Sequence, residues 1–323
     1  NVEQNWNKVE CEEFVDGTMI NIFNHENEWI LSTRSCIGGN NKWLSVKTFK
    51  ELFDESAENF NFESLDKDCC YTVVLKHSDN RIVKEYEESG ITLVSVRRFS
   101  VGEDGHQHIE SLKINEVKDT LKERGLKIDI PKVYTFDSYD EAFKACNQSN
   151  YQEQGYVFKY NGERSKVRNT AYSWAKNLKG NTNNLKFLYL QLRQNGALQE
   201  YNTYFPEHSK VFSEYQKDLF ETTGKLHQSY MDLHVNKIKN IKQIPYEFRP
   251  LCYQLHGIYL QSQRPNTFAK VKNFFNQLDP KLQLYTINFK YRPKYQENAA
   301  VGPCPGPCPG PSSEINSGEK VVA

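Results

Sequence analysis

The spacing of apolar residues changes near residue 180, and this change constrains the fold more than any other feature of the 323-residue sequence. Before it, apolar and β-branched residues come in short runs such as "TMINIF" (18–23) and "CYTVVLK" (70–76), separated by polar turns. After it, Phe212, Tyr215 and Leu219 begin a series with intervals of three or four residues. The first pattern is typical of strands and the second of amphipathic helices. The sequence therefore predicts an α+β part followed by an all-helical part.

Turn residues divide the first part into hairpins, and cap residues mark the helices between them. One hairpin is predicted around "NHEN" (24–27) and another around Asn161-Gly162, which is a strong hairpin signal. "RIVKEY" (81–86) is predicted as the middle strand of an antiparallel meander. Short helices are predicted after a cap at Ser45, from Ile114 to a stop at Gly125, and after the capping box that opens at Ser138. We therefore expect an antiparallel β-sheet with interleaved helices.

Three segments follow from these patterns. Residues 1–180 are predicted to form the sheet domain and residues 181–293 the helical domain. Residues 294–323 contain the run "GPCPGPCPGPSSE", whose Pro/Gly-rich composition has no apolar face to bury. This last segment is predicted to be a disordered tail.

Composition and charge restrict the classes of partner. Lys+Arg and Asp+Glu each number 41, so any binding of a polyanion must come from a local cluster of basic residues. The eight cysteines show no C-x-x-C pairs, and this spacing favours neither a disulfide framework nor a zinc site. No apolar run approaches the ~20 residues that span a bilayer. We expect an intracellular, cytoplasmic protein with reduced thiols, without a membrane partner and without metal ligands of the zinc type.

Five short segments carry the functional signal through their order along the chain. They are D-G-T (16–18) followed by a strand, "STR" (32–34), "NRIV" (80–83), "GYVFKY" (155–160) and "SKVRNTAY" (165–172). Each is weak alone. In this order they resemble the covalent nucleotidyltransferase superfamily, most closely the phage-type ATP-dependent RNA ligases, over roughly residues 9 to 175. The sequence also looks similar to ligase-like proteins of large DNA viruses.

The resemblance implies a nucleotidyltransferase-like fold, with ATP and Mg²⁺ as cofactors and RNA ends as partners. In that family a lysine amine attacks the α-phosphate of ATP while basic residues neutralise the growing charge. Carried over, the family pattern falls on a small set of residues here. Its catalytic basic pair falls on Lys166 and Arg168, and its nucleotide-binding positions fall on these two and on Asp16, Gly17, Arg34, Arg81 and Gln154.

The departures from the family pattern concern the reacting groups. Phe14 occupies the position of the lysine nucleophile in K-x-D-G-[ST], and a phenylalanine cannot be adenylated. The two expected glutamates fall on Val74 and Gln154, and neutral residues hold a divalent ion poorly. Glu153 lies one residue away, and in a strand that places it on the opposite face.

Three hypotheses follow from this sequence. The chain could bind ATP and RNA ends without forming a covalent adenylate. Alternatively it is an active RNA ligase for RNA repair that uses a displaced lysine, of which Lys8 is the nearest in sequence. The third hypothesis is an interaction protein in which the cleft has no role. All versions of the family assignment require Phe14, Val74, Gln154 and Lys166 to line one cleft.

Overall fold

A computed structural model describes residues 3–43, 45–58, 60–102 and 105–291 of the chain. Of the described residues, those up to Ile287 form one compact unit and residues 288–291 belong to a second. The whole of the predicted tail, 294–323, lies outside the described residues.

The described residues contain two antiparallel β-sheets. The nine strands are β1 (Glu10–Glu13), β2 (Thr18–His25), β3 (Glu28–Ser32), β4 (Cys69–Lys76), β5 (Gly90–Val101), β6 (Gln107–Leu112), β7 (Val133–Tyr134), β8 (Gly155–Tyr160) and β9 (Glu163–Arg168). The smaller sheet has the order β7-β1-β8-β9, and the larger sheet has the order β3-β2-β4-β5-β6. The segment 14–17 therefore carries the chain from one sheet to the other.

The two predicted hairpins are confirmed, and their turns show why the sequence specifies them. Glu26 and Asn27 connect β2 to β3 with φ values of 50° and 66°, and Asn161 and Gly162 connect β8 to β9 with 48° and 76°. Two successive positive φ angles match the right-handed twist of the strands, and Asn and Gly tolerate them. Local turn chemistry thus fixes both hairpins.

The predicted strand at 81–86 is wrong. Strand β4 pairs directly with β5, with Val74 opposite Thr92, and no strand lies between them. The N–H groups of Val83 and Lys84 donate instead to the carboxylate of Asp16, and the Val83 side chain is fully buried in the helical core. This segment is therefore an extended connector that joins the two parts of the molecule.

The helices of the described chain follow the predicted pattern, with one corrected cap. They are α1 (Phe49–Ser56), α2 (Ile114–Glu123), α3 (Tyr139–Gln148), α4 (Thr170–Lys179), α5 (Leu185–Gln194), α6 (Leu198–Tyr204), α7 (Ser209–Tyr230), α8 (Arg249–Ser262), α9 (Phe268–Gln277) and α10 (Pro280–Asn288). Thr48, rather than Ser45, caps α1 through a capping box with Glu51. The predicted α+β class with a helical C-terminal region is confirmed.

The largest apolar core joins the helical region to the first part of the chain. Tyr172 and Ala175 of α4 and Val83 of the connector are buried together with the apolar faces of α5 to α9. A second core lies under the larger sheet against α1 and α2, and a third lies between the smaller sheet and α3. The domain boundary near residue 180 stays a prediction.

Candidate functional site

A cavity of about 640 Å³ opens between the two sheets at the crossing segment. Its walls come from β1, β2, β4, β5, β8, β9 and α4. Phe14, Val74, Gln154 and Lys166 all line it, together with Asp16, Gly17 and Arg168. The structure thus brings into one cleft the four positions on which the family assignment depends.

Two cations face the ring of Phe14. The Nζ atom of Lys166 lies 5.8 Å from the ring centroid, and the Cζ atom of Arg168 lies 5.3 Å from it. The pairing of β8 with β9 explains this, because Arg168 lies opposite Gly155, whose carbonyl accepts the Phe14 N–H at 2.9 Å. Such contacts attract weakly at exposed sites. Phe14 occupies this place without offering a nucleophile to the cleft.

Asp16 is a buried hydrogen-bond acceptor that holds the connector and α4 together. One carboxylate oxygen accepts from the N–H groups of Val83 at 3.0 Å and Lys84 at 2.8 Å. The other accepts from the Tyr172 hydroxyl at 2.7 Å, and the Asp16 carbonyl accepts from the Tyr86 hydroxyl at 2.7 Å. Burial raises the pKa of the Tyr172 hydroxyl, and the nearby Asp16 charge raises it further. Asp16 therefore has a structural role in this chain.

Gly17 is required by the close approach of two strands. Its φ is +149°, and a Cβ atom at this position would lie 2.3 Å from the carbonyl oxygen of Leu75 on β4. No other residue fits without moving the backbone. Both residues that match the D-G of the family pattern are thus needed by the fold.

The carboxylates near the cleft are already engaged by the protein. Glu12 pairs with Lys159 at 2.7 Å, Glu13 lies 3.5 Å from Lys84, and Glu153 pairs with Lys84 at 2.9 Å. The predicted glutamate positions hold only the neutral residues named above, and Val74 packs in an apolar cluster with Val15 and Val94. Divalent magnesium needs several oxygen ligands in a regular arrangement. The residues present do not fit such an ion.

The lining cations have no such engagement. Arg164, Lys166, Arg168 and Lys176 all line the cavity, and none forms an ion pair with a carboxylate of the described chain. Three of them project from β9, which turns its basic residues towards the cleft. An excess of positive charge in a concave site favours an anionic ligand.

Lys176 is a site residue that sequence reasoning missed. It lies on α4 one turn after Tyr172, with its Nζ atom 5.8 Å from the Tyr172 ring centroid, and it is half-buried. Burial lowers the pKa of its ammonium group, and the charges of Arg168 and Lys166 lower it further against an opposing effect of Asp16. The signal that could have found it is the i,i+4 spacing from Tyr172 along a predicted helix.

A second cavity of about 670 Å³ continues from the first. The two share Gly17, Met19, Ile82 and Lys176. Arg34 lines this second cavity rather than the first, beside Lys42, Trp43 and Lys179. Burial lowers the pKa of the Lys179 ammonium group to about 8. Lys176 thus stands where the two cavities meet.

Arg81 and Lys8 line neither cavity. The Arg81 guanidinium donates to both carboxylate oxygens of Glu207 at 2.8 Å and to the Tyr204 carbonyl at 3.0 Å. Its side chain is only 9% exposed. Arg81, which the sequence predicted to bind nucleotide, therefore links the connector to the helical region.

The fold and cleft define a class: an α+β protein with a basic cleft between two antiparallel sheets and a helical C-terminal region. No family model matches the chain. The chain is similar to a putative bifunctional polynucleotide kinase/RNA ligase of Autographa californica nuclear polyhedrosis virus, with 27% identity over 296 residues. This alignment covers 84% of the chain and 40% of that viral protein, so the chain spans about two fifths of its relative's length. The predicted resemblance to RNA ligases is confirmed.

Solved structures of an RNA ligase from Naegleria gruberi show a weaker likeness. One mutant without ligand aligns with a TM-score of 0.39 and 9% identity over 53% of each chain. Another mutant, solved with ATP and Mn, aligns with a TM-score of 0.39 and 11% identity over 53% of this chain and 54% of that one. Alignments at this level do not establish a shared function.

Within the described residues, no helix has the length and apolarity to span a bilayer. The six cysteines of the described chain are all free thiols.

Proposed function

We propose that this chain binds a nucleotide and RNA ends in the manner of an RNA ligase, without forming a covalent adenylate at position 14. The observation that carries the proposal is the phenylalanine ring at the nucleophile position, facing Lys166 and Arg168. A benzyl side chain has no lone pair with which to attack phosphorus, so nucleophilic catalysis cannot begin there. The two cations remain suited to hold a phosphate group.

The cleft offers each part of a nucleotide a matching surface. Met19, Val74 and Val94 provide an apolar floor on which a base can rest. The basic residues of β9 line the same cavity, where a phosphate would contact them. ATP is the nucleotide that the resemblance implies. A location in the cytoplasm of an infected cell accords with free thiols and with a viral relative.

Binding by the double variant Lys166→Ala/Arg168→Ala tests the proposal. We expect its affinity for a 5′-phosphorylated single-stranded RNA to fall by about a hundredfold, because each of the two lost charged contacts contributes about 1.5 kcal/mol. The salt dependence should also weaken, by about 1.4 in the slope of log affinity against log salt for two lost phosphate contacts. Fluorescence anisotropy over a range of NaCl concentrations measures both quantities.

The matched control is Lys144→Ala/Lys225→Ala, which removes two exposed lysines that do not line the cleft. It should leave both affinity and salt slope close to those of the unmodified protein. Equal affinity of the cleft double variant and this control would remove the assignment of Lys166 and Arg168.

A working ligase with a displaced lysine is the second candidate function. The half-buried Lys176 suits the role of that lysine better than Lys8 does. The lowered pKa of Lys176 makes its amine more available for attack, whereas Lys8 lines neither cavity. Intact-mass measurement after incubation with ATP and Mn²⁺ or Mg²⁺ decides between the two functions. We expect no added adenylate, and an adenylate mapped to Lys176 would replace our proposal with the active enzyme.

A further inference from the structure

The unpaired charges in the cleft are positive, whereas a site that binds a nucleotide together with its metal ion needs unpaired negative charges. A divalent ion bridges phosphate oxygens to protein carboxylates, so it needs free acidic groups in the wall. Here the lining carboxylates of Glu12 and Glu13 face Lys159 and Lys84, and that of Asp16 accepts three hydrogen bonds. No described acidic residue of this wall is left to hold an ion.

Lys176 adds a positive charge to the wall of the cleft. Its side chain lines both cavities, and it extends from the helix whose Tyr172 donates to Asp16 in the crossing segment. It lines the same cavity as Arg168 and Lys166, and it has no carboxylate partner in the part of the chain that the structure describes. A phosphate group placed beside these three cations would neutralise their mutual repulsion. A divalent cation placed there would add to it.

We propose that the cleft binds its nucleotide as the metal-free anion, with Lys176 providing, beside Lys166 and Arg168, the charge that a divalent ion would otherwise provide. The inference rests on the proposed function, since it names the form of ligand that the proposed site accepts. Free ATP carries two more negative charges than its magnesium complex. The metal-free form is therefore the better match for a wall of unpaired cations, and excess Mg²⁺ weakens binding.

Equilibrium binding of radiolabelled ATP in EDTA and in excess MgCl₂, at equal ionic strength, tests this inference. Equal ionic strength is needed because salt alone screens the cleft. We expect affinity in EDTA to exceed affinity in MgCl₂ by about threefold or more. Lys176→Met should lower affinity in EDTA by about tenfold, as expected for one lost charged contact, and should reduce the difference between the two conditions.

Lys225→Met is the matched control, because Lys225 is an exposed helical lysine that does not line either cavity. The converse variant is Gln154→Glu, which returns a carboxylate to the wall and should weaken binding in EDTA while making MgCl₂ favourable. Circular dichroism and thermal melting confirm that each variant is folded.

The possible results separate the inference from the function on which it rests. Binding of ATP that requires Mg²⁺ or Mn²⁺ and disappears in EDTA would overturn metal-free binding and leave the proposed function in place. Unchanged affinity of Lys176→Met in EDTA would also overturn it. Absence of ATP and RNA binding in every condition would overturn both.

Discussion

At the scale of single residues, Asp16 shows how the fold alone can account for a residue that matches a functional motif. Its carboxylate is 2% exposed and accepts from Val83, Lys84 and Tyr172. These three donors come from the connector and from α4, so one side chain fixes two segments that are far apart in sequence. Buried donors that lose their acceptor each cost about 1–3 kcal/mol.

We therefore expect Asp16→Ala to lower the free energy of unfolding by about 3 kcal/mol or more. Tyr172→Phe removes only one of the donors and should cost about 1 kcal/mol. Urea denaturation followed by circular dichroism measures both variants. Stability of Asp16→Ala equal to that of Tyr172→Phe would show that the connector does not depend on this carboxylate.

At the scale of elements, the sequence predicts those turns and helices that are determined by neighbouring residues. Asn161-Gly162 fixes a hairpin because its own φ angles select the turn. The connector at 81–86 has the composition of a strand, yet Val83 is buried in a core made mostly of distant helices, and no local pattern reveals this. Lys176 was missed for the same reason, because its place in the cleft depends on how α4 packs. The position of Phe14 was predictable since it follows from motif spacing alone.

A pair of histidines, one in the turn that follows α7 and one in α8, makes stability depend on pH. The rings of His234 and His256 stack with centroids 4.1 Å apart and an interplanar angle of 9°. The buried Nε2 atom of His234 and Nδ1 atom of His256 have no hydrogen-bond partner. Burial lowers the pKa of His234, and the adjacent His256 lowers it further. The folded state thus favours the neutral imidazole of His234.

Because the pKa of His234 is lower in the folded state, its contribution to stability is complete above its unfolded pKa of about 6.5. That contribution is lost as the pH falls through the lower folded pKa, since the unfolded state then binds the extra proton. We expect His234→Asn to lose less thermal stability than the unmodified protein between about pH 7.5 and pH 5. His25→Asn, at an exposed histidine beside Glu26, is the control and should follow the unmodified protein. The same change of melting temperature with pH in all three proteins would contradict the assignment of this pH dependence to His234.

At the scale of the whole molecule, the sheets and the helices of Asn1–Ile287 depend on one another. Val83 and Tyr172 are fully buried in the helical core, and Arg81 reaches Glu207 from the connector. Removing the helices would expose these apolar side chains to water and leave Arg81 without its partner. The cleft would also lose its shape, because α4 packs against these helices. This helix carries Lys176 and the Tyr172 hydroxyl that donates to Asp16.

A truncation that ends at Gly180 should therefore lose cooperative unfolding and bind an apolar dye, because large exposed apolar patches are unstable in water. A truncation that ends at residue 293 should keep the melting temperature of the full chain, as the composition of the removed segment predicts. Thermal melting with and without the dye compares the two. A cooperative transition in the shorter chain would show that its sheets fold alone.

The crossing segment between the sheets also bears on how such a protein could have evolved. Asp16 holds two elements in place and Gly17 lets β4 pass close by, so selection for folding alone would preserve both, whatever side chain stands at position 14. The side chain at position 14 is under less constraint from the fold, because the backbone of Phe14 makes the contact that the sheet needs. An Asp-Gly pair at this crossing can thus be kept whether or not a lysine stands two residues before it. The Asp-Gly pair is therefore explained by the fold, and its presence alone does not indicate covalent chemistry.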